Sequence, residues 1–343
     1  MSYPYALGID LHKRTSCWTL VDSDRQLVWS KEEVPVSRAG VEAAMAALPV
    51  PVTGLPFAIE PTCGWRWVTD LLEARGLAPH IANPYRLRLI AESRKKTDAA
   101  DSRILAEFLG LGYLPESYRC SDDIERLRNL IRGRAYLVQC RASLKSRLQS
   151  MVVSRGLEPL RNRSPKALTT LAKHPDFEFH ESLVLLKEYT AHISVFDKTI
   201  DKEARGNETA QVLMTMPSVG RITALAIVAE VGLFSRFPTA RQLASFAGLV
   251  PSEHSSGDTI RRGAITKTGS KLLRTTIIEA ALRIREESAP DLYAFYLRIK
   301  KERGAMKART ALARKMLVIM WHMVKNNTSF DPSYSTAKRE DLV

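Results

Sequence analysis

The chain has 343 residues, 45% hydrophobic and 26% charged, the make-up of an ordinary globular protein with room for two or three domains. No run of about eighteen uncharged apolar residues is present to span a bilayer, and Met1-Ser2-Tyr3-Pro4 lacks the basic-then-apolar pattern of a signal peptide. The four cysteines (Cys17, Cys63, Cys120, Cys140) are too scattered for a zinc motif or disulfide framework and fit a reducing cytoplasm, while a net charge of +14 favours nucleic acid as partner over an anionic membrane.

Ala6-Leu7-Gly8-Ile9-Asp10 is a short apolar run ending in an acid, the pattern of a buried strand. Ser16 to Val21 is a second strand, rich in β-formers. Asp22-Ser23-Asp24 makes a turn, and Leu27 to Ser30 is a third strand. An Ala-rich helix covers Arg38 to Leu48. Pro49, Pro51, Gly54 and Pro56 break the chain before a fourth strand, Phe57-Ala58-Ile59-Glu60, which also ends in an acid. Gly64 to Arg75 is a helix, and Pro79 to Pro84 a fifth strand. A basic linker, Arg86 to Lys96, carries Arg94, Lys95 and Lys96. Thr97 then caps a helix whose apolar stripe is Ile104, Leu105 and Phe108. Asp98 and Asp101 project from one face of its first turn. Acids there also complement the helix dipole.

The order strands, helix, strand, helix, strand, helix is that of the RNase H-like fold, to which the RuvC-type nucleases belong. That likeness puts one acid on the first strand, one after the fourth and the rest on the last helix. Asp10, Glu60, Asp98 and Asp101 occupy those places. Carboxylates converging from separate elements repel one another unless cations sit between them. Two Mg²⁺ ions about 4 Å apart, with Mn²⁺ as a substitute, would meet that need and clamp a phosphodiester.

In the middle of the chain, Ile124, Leu127, Ile131, Leu137, Leu144, Leu148 and Met151 recur at helical spacing, as do Leu186, Tyr189, Ile193, Phe196 and Ile200. The pattern predicts a helical hairpin or coiled coil, either packed within the chain or pairing with another copy. Gly156 to Pro175, with three prolines, is an irregular connection.

Met214 to Ala226 has the form of a helix–hairpin–helix: Pro217-Ser218-Val219-Gly220 is a tight turn, and Gly220 and Arg221 open a helix whose free N–H groups suit a phosphate. Ala244 to Pro251 leads to a polar loop, His254-Ser255-Ser256-Gly257-Asp258. The cations Arg261, Arg262, Lys267, Lys271 and Arg274 follow it. Helices are expected over Gly269 to Arg285 and Arg309 to Val324, with a basic edge from Lys300 to Arg309.

Three pieces carry a resemblance to a known family: Gly8-Ile9-Asp10-Leu11-His12-Lys13 with Ile59-Glu60-Pro61-Thr62; Lys96-Thr97-Asp98-Ala99-Ala100-Asp101-Ser102-Arg103; and Pro217-Ser218-Val219-Gly220 through Phe246-Ala247-Gly248-Leu249-Val250-Pro251 to Ser256-Gly257. In these the chain resembles the DEDD transposases of the insertion-sequence-110 family, RNA-guided DNA recombinases. The resemblance implies a RuvC-like domain over 1–120, a helical coiled-coil insert over 121–206, a mainly helical transposase domain over 207–330 and a tail over 331–343. It makes Asp10, Glu60, Asp98 and Asp101 the metal-binding acids. Ser256 becomes the nucleophile that forms a phosphoserine–DNA linkage, with Gly257 favouring it over the adjacent Ser255. It further implies donor and target DNA and a guide (bridge) RNA as partners, a dimer that pairs into a tetramer, and work at the prokaryotic nucleoid. Two other readings use part of these signals. A RuvC-like endonuclease attacking with water needs only the acids, and a non-enzymatic nucleic-acid-binding protein needs only the charge and the helix–hairpin–helix.

Overall fold

The computed structural model describes residues 3–90, 97–158, 171–253 and 262–332. Its contacts divide the chain into two compact units, Met1–Arg119 and Cys120–Val343.

The first unit is built on a mixed sheet. Strands β1 (Tyr5–Leu11), β2 (Thr15–Asp22) and β3 (Leu27–Pro35) form an antiparallel meander. Helix α1 (Arg38–Ala46) leads to β4 (Pro56–Ile59), and α2 (Trp65–Glu73) leads to β5 (Ala78–Ile81). β4 pairs parallel with β1, and β5 parallel with β4, giving the order β3-β2-β1-β4-β5. Strand alternation separates two apolar layers. Leu7, Ile9, Leu11, Trp18, Leu20, Phe57 and Ile59 pack with Val41, Val68 and Leu72 on the α1–α2 side. Ala6, Val21 and Ala58 pack with Leu105, Ala106 and Leu109 on the other side. Those last three belong to α4 (Asp98–Gly110).

The basic linker begins differently from the sequence expectation. Pro84–Ile90 is a helix, α3. Asn83 Oδ1 accepts from Arg86 N at 3.1 Å, Pro84 opens the first turn, and Leu87 is buried. The run of cations hid a capped turn anchored by one leucine.

In the second unit, α5 (Asp122–Ser154) and α6 (Phe177–Arg205) form a hairpin. Leu127 and Ile131 pack with Ile200 and Ala204 at one end, and Leu148 and Met151 with Phe179 and Leu186 at the other, so the helices run antiparallel. Of the heptad-like positions, Leu127, Ile131, Leu148, Met151, Leu186 and Ile200 are thus used within the chain. Arg126–Glu203 (2.7 Å) and Arg155–Glu178 (2.6 Å) flank this seam. The hairpin's root continues into the core of the C-terminal helices. Helix α7 (Glu208–Met214) turns at Pro217–Gly220 into α8 (Arg221–Val231), which is buried from Thr223 to Val231. Around α8 and the hairpin root lie α9 (Ala240–Phe246), α10 (Lys271–Ala281), α11 (Pro290–Arg303) and α12 (Ala305–Asn326). A two-stranded ribbon, β6 (Pro251–Glu253) and β7 (Arg262–Ile265), follows α9. Among the described residues no helix is long and apolar enough to cross a membrane.

Candidate metal centre

The centre forms where β1, β4 and the start of α4 meet. On β1, Leu7, Ile9 and Leu11 face one layer, so Gly8 and Asp10 face α4. Gly8 lets the helix come close: a Cβ there would stand 1.9 Å from the Ser102 carbonyl oxygen and 2.6 Å from Ala106 N. Ser102 is fully buried; its Oγ lies 2.7 Å from Thr19 Oγ1 and donates to Ala99 O at 3.1 Å. These contacts fix the first turn of α4 over the end of β1. Thr97 Oγ1 accepts from Ala100 N at 3.2 Å, which caps that turn and places Asp98 and Asp101 in it.

Glu60 arrives by register. Ile9 pairs with Ile59 in the parallel ladder, and Asp10 and Glu60 are the residues that follow each of them, Glu60 just past the end of β4. Thr62 Oγ1 donates to Leu11 O at 2.7 Å and ties the chain after Glu60 to β1.

Asp10 is 6% exposed, while Asp98 is exposed and Asp101 half-buried. Burial pushes the Asp10 carboxyl above its ordinary value, the His12 imidazole opposes this, and Asp101 and Asp98 push it up again. His12 Nε2 lies 3.1 Å from Asp10 Oδ2 and 3.1 Å from Asp98 Oδ1. Asp10 Oδ2 is nevertheless buried without a hydrogen bond. A buried carboxylate oxygen left in this state, facing a second carboxylate, is what a divalent cation compensates. One donor atom each from Asp10, His12 and Asp98 falls within 4.8 Å of the others. His12 stands in a quoted sequence motif, two residues past Asp10, yet the sequence assigned it nothing.

The other expected residues fall in several places. Ser255, Ser256, Arg261, Arg94, Lys95 and Lys96 lie outside the described residues. β6 and β7 pair on either side of residues 254–261, Pro251 with Ile265 and Glu253 with Arg262. The base of that ribbon is tightly built. Gly248 (φ +66°) and Gly269 (φ +70°) hold left-handed backbone, and a Cβ on Gly269 would stand 1.9 Å from Phe246 O. Arg274 Nη1 donates to Ala247 O at 3.0 Å and Thr268 O at 3.1 Å. Lys267 and Lys271 are exposed beside it. Gly220 opens α8 with no side-chain cap, and the adjoining Arg221 pairs with Asp201 at 2.5 Å. An open groove of about 750 Å³ there is lined by Asp197, Lys198, Asp201, Arg221 and Arg283, so its charge is mixed rather than uniformly basic.

The chain is similar to known proteins along most of its length. Residues 7–154 match the model of the IS110-type DEDD transposases, described as "Transposase". Residues 210–297 match the model described as "Transposase IS116/IS110/IS902 family". The chain is 27% identical to a "Probable family 20 transposase" of Pseudomonas aeruginosa, over 95% of this chain and 98% of that one. It is 24% identical to the "Transposase for insertion sequence element IS1111A" of Coxiella burnetii, over 94% and 90%. It is 25% identical to the "Pilin gene-inverting protein" of Moraxella bovis, over 73% and 74%. The chain belongs to the IS110 family of transposases, enzymes that cut DNA and transfer its strands.

Proposed function

We propose that this transposase recombines DNA through a divalent-metal centre of Asp10, Glu60, Asp98 and Asp101 acting together with the hydroxyl of Ser256. The observation that carries the reading is the buried, unbonded oxygen of Asp10 set opposite Asp98, with Glu60 in the adjoining register position. The strand order, three antiparallel strands followed by two parallel ones with α4 across β1, supports an RNase H-like domain of the RuvC type over 1–120. We read 121–206 as a helical insert and 207–330 as the transposase domain.

Mg²⁺, when bound, would polarise the scissile phosphate and favour ionisation of the attacking hydroxyl. The chain's own residues do the rest. Asp10, Glu60, Asp98 and Asp101 supply oxygen donors from three separate elements. The packing of α4 on β1 holds Asp98 and Asp101 beside Asp10 before substrate arrives. Ser256 Oγ attacks phosphorus, the bond to the 3′ oxygen breaks, and the serine proton leaves to solvent or base. The phosphoserine conserves the ester bond, so a 3′-hydroxyl can reverse the step without an added energy source. The serine belongs to the second unit and the acids to the first, so the reaction requires a composite site. The reading assigns that site to paired copies of the chain, a dimer that becomes a tetramer at synapsis.

Net charge supports broad phosphate contact with donor and target DNA, with Arg94, Lys95, Lys96, Gly220, Arg221, Arg261, Arg262, Lys267 and Lys271 as the candidate contacts. Sequence choice is assigned to a guide RNA that pairs with both DNAs. The test is a Ser256→Ala variant given a nicked suicide DNA substrate and Mg²⁺. It should bind metal and DNA as before and give no covalent adduct on a denaturing gel. Undiminished adduct removes Ser256 from the mechanism. Mg²⁺-dependent nicking that survives without adduct supports hydrolysis by water instead.

A further inference from the structure

We propose that His12 is itself a ligand of the metal centre, the one nitrogen among its oxygen donors, and that the centre in consequence prefers a first-row transition ion to Mg²⁺. The inference rests on the metal-centre reading above.

One imidazole nitrogen stands 3.1 Å from two carboxylate oxygens on different elements. An ordinary ion pair explains this poorly. A single N–H has one good direction, and Asp10 Oδ2 receives no hydrogen bond despite the approach. The distances suit shared coordination. Donors bound at about 2.1 Å and at right angles to each other are about 3.0 Å apart, close to the separations seen here.

The backbone holds His12 in this position. Its N–H donates to Thr15 O at 2.9 Å, closing the turn after β1, and Thr62 grips the preceding carbonyl. The side chain is half exposed, with 49% of its surface accessible, so apolar packing is not what places the ring. Its orientation brings a nitrogen to the buried, unbonded oxygen of Asp10 and to an oxygen of Asp98.

Donor chemistry then sets the preference. Mg²⁺ is a hard ion that favours oxygen and retains water, whereas imidazole nitrogen suits first-row transition ions better. Removing the imidazole should therefore weaken a transition ion selectively and leave Mg²⁺ nearly unaffected.

Mn²⁺ is the probe, titrated into the full-length protein and followed by the EPR signal of the free ion, with Mg²⁺ as competitor. In the wild type, electron spin-echo spectra of bound Mn²⁺ should show coupling to a ¹⁴N nucleus. In His12→Ala that coupling should vanish, Mn²⁺ affinity should fall at least tenfold, and Mg²⁺ affinity should change less than threefold. Added free imidazole should restore part of the Mn²⁺ affinity. Unchanged Mn²⁺ affinity without nitrogen coupling in the wild type overturns the proposal. Tighter binding of both ions by His12→Ala also overturns it, because the imidazole would then compete for the ion's place. Asp98→Asn keeps the two readings apart. If it binds Mn²⁺ as well as the wild type, the metal centre itself fails, and the role of His12 with it.

Discussion

Gly8 of β1 and Ser102 of α4 are so close that no side chain fits between them: a Cβ on Gly8 would stand 1.9 Å from the Ser102 carbonyl oxygen. The obstructing atom is backbone, so it cannot rotate away. Gly8→Ala should cost about 3 kcal/mol, the upper end for forced overpacking, because α4 must lift from the sheet. Lifting α4 separates Asp98 and Asp101 from Asp10. Urea unfolding should register the loss of stability, and Mn²⁺ titration a loss of affinity at temperatures where the variant is still folded. Full stability in Gly8→Ala would contradict this packing.

The acids should respond differently from the packing residues. Asp10 is buried against two other carboxylates, which makes its charge unfavourable in metal-free protein. Asp10→Asn should therefore leave stability unchanged or raise it by up to about 1 kcal/mol without metal, while strand cleavage falls by about three orders of magnitude or more. Asp98 is exposed, and Asp98→Asn should leave unfolding within about 0.5 kcal/mol of wild type. Calorimetric melting in EDTA, beside a cleavage assay, checks both. A marked drop in the stability of metal-free Asp10→Asn would mean that the carboxylate is structural.

Much of the first unit was legible because its elements obey local rules. Short apolar runs ending in an acid marked β1 and β4, β-forming residues marked β2, and Thr97 announced the start of α4. The acids could be matched to element ends before any contact was known. His12 could not, since its role depends on a nitrogen reaching Asp98, 86 positions away in sequence. Helix α3 was hidden in its cations, because only Leu87 turns inward. Helix α11 escaped for the same reason: Leu292 is its one buried residue, too little to make an apolar stripe. The pairing of Arg221 with Asp201 was equally invisible, as it joins the start of α8 to α6.

Glu230 gives the second unit a pH dependence. It is 2% exposed on α8 and takes both Arg132 Nε at 2.8 Å and Arg132 Nη2 at 3.0 Å. Burial alone would raise its carboxyl, but hydrogen bonds from Arg132 and Ser270 outweigh that and hold it below the ordinary glutamate value. A depressed folded-state value means that the stabilising contribution is complete above the unfolded value of about 4.3 and disappears as pH falls through the folded one. Glu230→Gln should cost about 2 kcal/mol at pH 7, less than a fully buried pair because 54% of the Arg132 side chain is accessible. The gap between wild type and variant should close below about pH 4. Urea midpoints at pH 7, 5 and 3 measure it, and a gap that widens on acidification would reverse the assignment.

Gly269 tests whether the ribbon's base matters to the chemistry assigned to Ser256. Its φ of +70° disfavours any Cβ, and that Cβ would stand 1.9 Å from Phe246 O, a backbone atom at the end of α9. Gly269→Ala must therefore push the chain between β7 and α10 away from α9, straining the Arg274 bonds to Ala247 and Thr268 as it does so. The acids belong to the other unit. The variant should bind Mn²⁺ with wild-type affinity and retain helical content by circular dichroism. Covalent adduct on the suicide substrate should fall at least tenfold, because displacing the strands on either side of residues 254–261 costs the reacting hydroxyl its alignment. Gly54 is the control: it also has positive φ (+76°), but a Cβ there meets nothing within 4 Å. Gly54→Ala carries backbone strain without displacing the ribbon and should form adduct at the normal rate. Equal adduct yields from the two variants would show that the ribbon's seating does not govern the reaction.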